Sequence, residues 1–422
     1  MRTGSTTASE VDSLARGAGI VPATRDPDGR GASLVVGFVT ARSAHFDGAA
    51  WWVDPGLGRL VEAIAGRVGR VEFAPSGLRA RERSHTHRLD VQRVVCRPLP
   101  AMTGVVDGLR VVRASSIAVR VIECASDVLV AQLPFAALPA LIRQRRPRVL
   151  HLCGDVRASV LSSPFYRGFG GLPARSAARW LSSLERWLTR RPKVRVVANG
   201  RELLEREPRA LGRSVVSSTL FASEVGSIVR GRQGDGRPRV LFVGFPRFNK
   251  GGDLLASVLR EVRRLMPEAE LRLIGSLAAT EAKEGGALAW AQGGQASGSL
   301  TMSGYIPFGP DLFQEYADGD VLICPSRSEG TPRALVEARA FGCPVVAMRV
   351  GGIPTSVRDG EDGILVEPGD VCGMASAVVR LLTDRELRSR IVSNGYEMAQ
   401  RTTVEFLAQA IVEECVVVLG HD

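Results

Sequence analysis

From Arg239 to Ala347 the sequence repeats one unit: a short apolar run, a loop carrying glycine or proline, and about ten residues of helical periodicity. Unbroken apolar runs suit strands buried on both faces of a parallel sheet. This places strands at 239–243, 270–274, 300–303, 320–324 and 344–347, and helices at 253–265, 310–317 and 332–341. A glycine-rich excursion occupies 285–298. Strands joined through helices imply right-handed crossovers and a doubly wound sheet. Ligands of such sheets bind beyond the carboxyl ends of the strands. The chemistry is therefore expected in the loops after Val243, Ile274, Ser303, Cys324 and Ala347.

The first half carries the same alternation less regularly. Strands are expected at 33–40, 70–74, 108–113, 127–133, 149–153 and 194–198, with a helix at 57–65 and a crossover at 138–145. Residues 175–191 form an amphipathic helix. Ala177, Trp180, Leu181, Leu184, Trp187 and Leu188 make its apolar stripe, and Arg175, Arg179, Arg186 and Arg190 its other face. That stripe covers the sheet of its own domain or lies on a membrane, with covering the favoured reading. Residues 226–238, rich in Gly and Arg without periodicity, read as a linker. Thr402 to Glu405 has the capping-box spacing, and the helix behind it bears Val404, Leu407, Ala408, Ile411, Cys415 and Val418 on one face.

At 422 residues the chain exceeds one ordinary core. The expected organisation is a disordered extension at 1–32 and two Rossmann-like domains at 33–225 and 239–400, with the linker between them and a final helix at 401–422. Residues 1–32 hold no apolar stretch of the kind a secretory signal needs, and no apolar run reaches the roughly 18 residues of a membrane span. Seven scattered cysteines without a CxxC pair suit reduced thiols, and the five histidines lack ligand spacing, so neither metal nor disulfide is expected. His85 and His87 fall in an arginine-rich stretch expected to be exposed.

Charge divides unevenly. Residues 1–235 hold 36 Lys and Arg against 20 Asp and Glu, whereas the remainder is mildly acidic and the whole chain is +11. The basic half suits an anionic membrane, an anionic acceptor or nucleic acid. Arginine-rich coding bias is the bland alternative, since Lys193 is the sole lysine among the 36. No nucleic-acid reading motif accompanies the charge, so nucleic acid is not expected.

The densest chemical signal is SEGTPRALVEARAFGCPVV, 328–346. A strand gives way to a loop ending in Gly330 and Thr331, and a helix opens with Pro332 in its first turn. The free N–H groups there, at the positive end of the helix dipole, suit a diphosphate. Glu337, a little over a turn further on, can accept bonds from two vicinal hydroxyls such as a ribose offers. Glu329, before the helix, would meet a sugar on the other side of the phosphates. A phosphate cradle between two hydroxyl-binding carboxylates describes a sugar nucleotide. In the segment Val243 to Gly252, Lys250 and Arg247 are candidate phosphate cations.

Glu329-x7-Glu337 in this setting, continued by Val350-Gly351-Gly352-Ile353-Pro354 and by Asp359-Gly360-x-x-Gly363-x-Leu365-Val366-x-Pro368-Gly369-Asp370, resembles the donor motif of the GT4 family of retaining glycosyltransferases. The resemblance covers about 239–415 well and the first half in outline. It implies the GT-B fold, in which two Rossmann-like domains face across a cleft, and a final helix crossing back to the first domain. It further implies a retaining, metal-independent transferase without cofactor. Glu337 would bind the donor ribose and Glu329 the transferring sugar, with backbone around Ile306 holding the base. The family's arginine after the first glycine is here Phe245, so either Arg247 reaches the same phosphate or Lys250 acts alone.

In the first half the family's sugar-side histidine falls at Gly154 or Asp155. His151 then lies within the strand and is expected to be buried, and Asp155 is the candidate contact to sugar or acceptor. Ser217-Ser218-Thr219 stands where the family has Asn-Gly, and Trp51-Trp52 either packs, stacks on a sugar or touches lipid. The acceptor would be a saccharide, a lipid-linked molecule or a small aglycone. The location would be cytoplasmic, in contact with the inner membrane face if the basic half is used so. The alternative is a partner subunit that binds nucleotide without catalysis. An epimerase or phosphorylase brings no such Glu-x7-Glu context, and an NAD enzyme would need a G-x-G-x-x-G after its opening strand.

Overall fold

The computed structural model describes residues 34–76, 84–99, 108–134, 138–142, 145–162, 171–229, 231, 236–276 and 299–420. The extension at 1–32 and the excursion at 285–298 lie outside them. By its contacts the chain forms two compact units, residues 1–148 and 149–422. This division leaves the expected linker at 226–238 inside the second unit.

The first unit holds β1 (Val35–Thr40), β2 (His45–Phe46), β3 (Trp51–Val53), α1 (Pro55–Ala65), β4 (Arg70–Ala74), β5 (His87–Arg88), β6 (Val94–Cys96), α2 (Gly108–Ala125) and β7 (Val128–Leu133). β1 pairs in parallel with β4 and β7, and β4 with β6. The β1 and β4 residues Val36, Phe38, Val71 and Phe73 are wholly buried. A small antiparallel sheet joins β3 to β2 and β5.

Two expectations fail in this unit. Residues 108–113 open an 18-residue helix rather than forming a strand. The β-branched pair Val111-Val112 suggests a strand locally, but Ser115, Val119 and Ile122 behind it are buried at helical spacing. The arginine-rich stretch is not wholly exposed either. β5 pairs with β3, His85 is buried 3.1 Å from Ser43 Oγ, and His87 Nε2 lies 2.9 Å from Glu62. Trp51 and Trp52 are partly buried in β3. Trp52 Nε1 donates to Asp47 at 2.6 Å, and Trp51 packs on Phe46 with ring centroids 4.9 Å apart.

The second unit begins with β8 (Arg148–Leu152), α3 (Val156–Ser162), α4 (Leu172–Thr189), β9 (Val194–Asn199), α5 (Arg201–Glu205) and β10 (Gly212–Val215). β9 lies between β8 and β10. There follow β11 (Arg239–Val243), α6 (Leu255–Leu265), β12 (Glu270–Ile274), β13 (Leu300–Gly304), α7 (Pro310–Asp318), β14 (Val321–Cys324), α8 (Arg333–Ala340), β15 (Val345–Met348), α9 (Ile353–Ser356) and β16 (Ile364–Val366). Three helices close the chain: α10 (Val371–Thr383), α11 (Arg385–Gln400) and α12 (Val404–Leu419).

The later strands form one parallel sheet, ordered β13-β12-β11-β14-β15-β16. Side chains alternate between its faces. Val240, Phe242, Val321 and Ile323 join one core with α6, α10 and α11, whereas Leu241 and Leu322 join the other with α7 and α8. That second core also takes in Leu220 and Val225, and Gly226 N–H donates to Ala340 O at 2.9 Å. The start of the expected linker is therefore docked on the sheet's helices.

The final helix α12 packs against β9 and β10, so it returns to the strands of the earlier sheet as expected. Arg195 of β9 and Arg213 of β10 donate from Nε to buried Glu414, at 2.6 and 2.7 Å. The cap sits one residue later than the capping-box spacing implies. Thr403 accepts from Phe406 N–H, and Glu405 accepts from Ala222 N–H at 3.0 Å.

Candidate functional site

The loops after β11 and β14 are built against each other. Behind β11 a short 3₁₀ turn (Phe248–Lys250) ends at Gly251, whose φ is +70°. A Cβ at Gly251 would stand 2.0 Å from Pro325 O, so the chain can pass the β14 loop this closely only with glycine there. Arg327, in the β14 loop, fastens the pair. Its guanidinium forks onto Asp253 at 2.6 and 2.7 Å, donates to Phe248 O at 2.8 Å and lies 4.1 Å over the Phe248 ring. Its own N–H donates to Asn249 O at 2.8 Å.

This clamp sets Lys250 beside Glu329. The Lys250 ammonium and Glu329 Oε1 form an ion pair, and the same oxygen accepts from Ser326 Oγ at 3.1 Å. The lysine side chain is 37% exposed and the glutamate 12%, so the cation is the more open partner. Beneath them the Cys324 thiol is pushed up to about 11, first by burial and then by the Glu329 charge. It stays a neutral packing group at ordinary pH.

Gly330 and Thr331 continue the loop into α8, which starts at Arg333 with Pro332 in the capping position. Four chain segments meet here. A Cβ on Gly352 would lie 2.6 Å from Gly330 O and 3.2 Å from Asn199 O, and one on Gly200 would lie 2.8 Å from Gly352 Cα. A Cβ on Gly330 would lie 3.0 Å from Cys153 O. Thr331 is buried and its Oγ1 accepts from Ser217 N–H at 2.9 Å, so its hydroxyl ties the loop to the segment after β10. Glu337, buried on α8, accepts at Oε2 from the Tyr316 hydroxyl of α7 at 2.8 Å.

The remaining candidates are more dispersed. Arg247 is exposed in the Lys250 loop, with its guanidinium 5.5 Å from the centroid of the Phe245 ring. Ile306, after β13, packs against the α7–α8 core. Asp155 caps α3: Oδ1 accepts from Ala158 N–H at 2.9 Å, and Oδ2 pairs with Arg206. His151 is buried in β8 as expected, with Nε2 3.1 Å from Asn199 Oδ1. Among the described residues no three His, Cys, Asp or Glu side chains come together in a way that could hold a metal ion.

Sequence reasoning missed Asn199-Gly200. This Asn-Gly pair ends β9 and touches Gly352, whereas Ser217-Ser218-Thr219, read as occupying the place of such a pair, lies further along. A glycine directly after a buried strand was the available signal. Arg327 and Asp253 were also missed, because nothing in a loop arginine reveals a partner 74 residues away.

Comparison with known proteins matches this region. The sequence model of the glycosyl transferases group 1 family matches residues 237–384. The chain is 32% identical over 165 residues to a D-inositol 3-phosphate glycosyltransferase of Thermobifida fusca, covering 38% of each chain. It is 36% identical over 168 residues to the sulfoquinovosyl transferase SQD2 of Arabidopsis thaliana, covering 39% of this chain and 30% of the relative. These matches thus span well under half the length of the relatives.

Likeness in fold extends further. Sucrose-phosphate synthase from Thermosynechococcus elongatus superimposes with a TM-score of 0.71 at 16% identity, over 92% of this chain and 100% of its own. HepE of Anabaena, solved with UDP and glucose, does so with a TM-score of 0.63 at 20% identity, over 90% and 98%. The chain has the GT-B fold, and its residues 237–384 match the glycosyl transferases group 1 family.

Proposed function

We propose that this chain transfers a sugar from a nucleotide-sugar donor to a saccharide, lipid-linked or small-molecule acceptor. The observation that carries the reading is the ion pair of Lys250 with Glu329, held at the carboxyl ends of β11 and β14 by the Arg327 clamp. A diphosphate arriving beside Lys250 would compete with Glu329 for the ammonium. Lys250, with Arg247 and the backbone N–H groups of Gly330 and Thr331, would then neutralise the departing diphosphate without a metal. Glu329, released from the lysine, would turn to the hydroxyls of the transferring sugar. Glu337 would accept from the ribose hydroxyls.

Asp155 is assigned to the sugar or acceptor side, which would require it to exchange Arg206 for the ligand. Retention of anomeric configuration follows from the family resemblance. The basic character of residues 1–235 supports an anionic acceptor. The UDP and glucose bound by HepE make uridine nucleotides the first to test.

Release of nucleoside diphosphate from UDP- and GDP-sugars tests the reading. Turnover should fall about 100-fold or more in Lys250→Ala, the usual scale for removing one preorganised charge-stabilising group. Glu329→Ala should lose turnover while still binding nucleotide. A chain that consumes none of these donors, with or without acceptor, would refute the proposal.

A further inference from the structure

The expected apolar stripe of α4 is largely not buried. Ala178, Leu188 and Thr189 are the buried residues of this helix, whereas Trp180 is 56% exposed, Leu172 49% and Trp187 39%. At 3.6 residues per turn, Leu172, Trp180 and Trp187 fall within an arc of about 80°. Arg175, Arg179 and Arg186 occupy the adjoining strip, and Arg190 stands at its C-terminal end. The Arg191 guanidinium lies 3.7 Å over the Trp187 ring. The helix's one acidic residue, Glu185, turns to the opposite side, where it interacts with Glu207 and with Arg186.

Arg186 is paired with Glu207, its Nε 3.3 Å from the carboxylate, which leaves an exposed strip of two tryptophans and a leucine beside Arg175 and Arg179 to match the boundary between lipid headgroups and acyl chains. Trp rings settle at that depth, and guanidinium groups bind phosphate in a forked geometry. The charge asymmetry of residues 1–235 has the sign to reinforce it. No described helix is long and apolar enough to cross a membrane, so attachment of this kind is peripheral.

We propose that α4 docks on an anionic bilayer surface, with Trp180 and Trp187 inserted at the interface and Arg175 and Arg179 against lipid phosphates. This inference stands apart from the transfer reading. The test is flotation of the full chain with phosphatidylcholine vesicles, with and without phosphatidylglycerol. The wild type should float with the anionic vesicles, lose this at high salt, and show a blue-shifted tryptophan emission. Trp180→Ser should sharply reduce flotation with unchanged thermal unfolding, since this side chain is more than half exposed, and Trp180→Ser/Trp187→Ser should abolish flotation while the chain still unfolds cooperatively.

Arg175→Gln/Arg179→Gln should weaken binding roughly thirtyfold, on the scale of two headgroup-attracted arginines. Equal binding to neutral vesicles, no binding to anionic ones, or full binding by the double tryptophan variant would overturn the proposal. Self-association lost in Trp180→Ser/Trp187→Ser, without vesicle binding in the wild type, would assign the face to a second copy and overturn it equally.

Discussion

The Tyr316 hydroxyl donates a 2.8 Å hydrogen bond to Glu337 Oε2 between two neighbouring helices, with both side chains buried. Burial, reinforced by the carboxylate, pushes the tyrosine well above its usual range, so it remains a donor at all working pH values. Tyr316→Phe keeps the ring stacked toward Phe341 and removes only the donor. Stability should fall by about 1–3 kcal/mol, because a buried carboxylate loses one charge-assisted hydrogen bond. Nucleotide affinity should fall as the carboxylate turns, and thermal unfolding with and without nucleotide reads both.

Arg327 should act as a positioning residue for Lys250. Arg327→Lys keeps the charge but cannot fork onto Asp253 or lie flat on Phe248. The variant should fold, bind nucleotide several-fold more weakly, and show a larger loss in kcat than in affinity, as Lys250 drifts from the reacting centre. Asp253→Asn should show the same pattern more mildly. Steady-state kinetics beside a direct binding titration separate the two effects.

Gly352→Ala tests the meeting of chain segments at Gly330. Its Cβ would stand 2.6 Å from a backbone oxygen, which has little room to retreat between Asn199 and the β14 loop. The expected cost is about 1–3 kcal/mol of stability, typical of overpacking, with weaker nucleotide binding because Gly330 moves. Chemical denaturation measures the first and titration the second.

The pH dependence of stability should carry a signature of Glu185. Burial first, and then the nearby charge of Glu207, raise its carboxyl from the ordinary 4.5 to about 7, with Arg186 opposing. The folded state therefore holds a proton that the unfolded chain releases. The associated stability is full below about pH 4.5 and is lost as pH rises through about 7. Urea unfolding at pH 5 and pH 8 should show a smaller drop in Glu185→Gln than in the wild type. Identical drops would contradict this.

The later sheet was legible because its strands are buried on both faces, so Val240 to Phe242 and Val321 to Ile323 read as unbroken apolar runs between amphipathic helices. Lys250 and Glu329 were singled out separately as candidate ligands of one molecule, but their direct pairing was not legible. That contact depends on Gly251 passing under Pro325, a matter of backbone approach. Residues 108–113 misled because β-branched composition outweighed the longer helical period behind them. Asn199-Gly200 was missed because its significance lies in Gly352, far along the chain. The stripe of α4 was read correctly as apolar, but periodicity says which residues share a face and not which way the helix is rolled.

The most direct test of the donor site is isothermal titration of UDP and GDP into the wild type and Glu337→Gln. One of the two nucleotides should bind at a single site. Glu337→Gln should weaken it about ten- to a hundredfold, the scale of a hydrogen bond made by a charged group. If neither nucleotide binds, or if Glu337→Gln binds as tightly as the wild type, the assignment of this helix and loop to the donor is wrong.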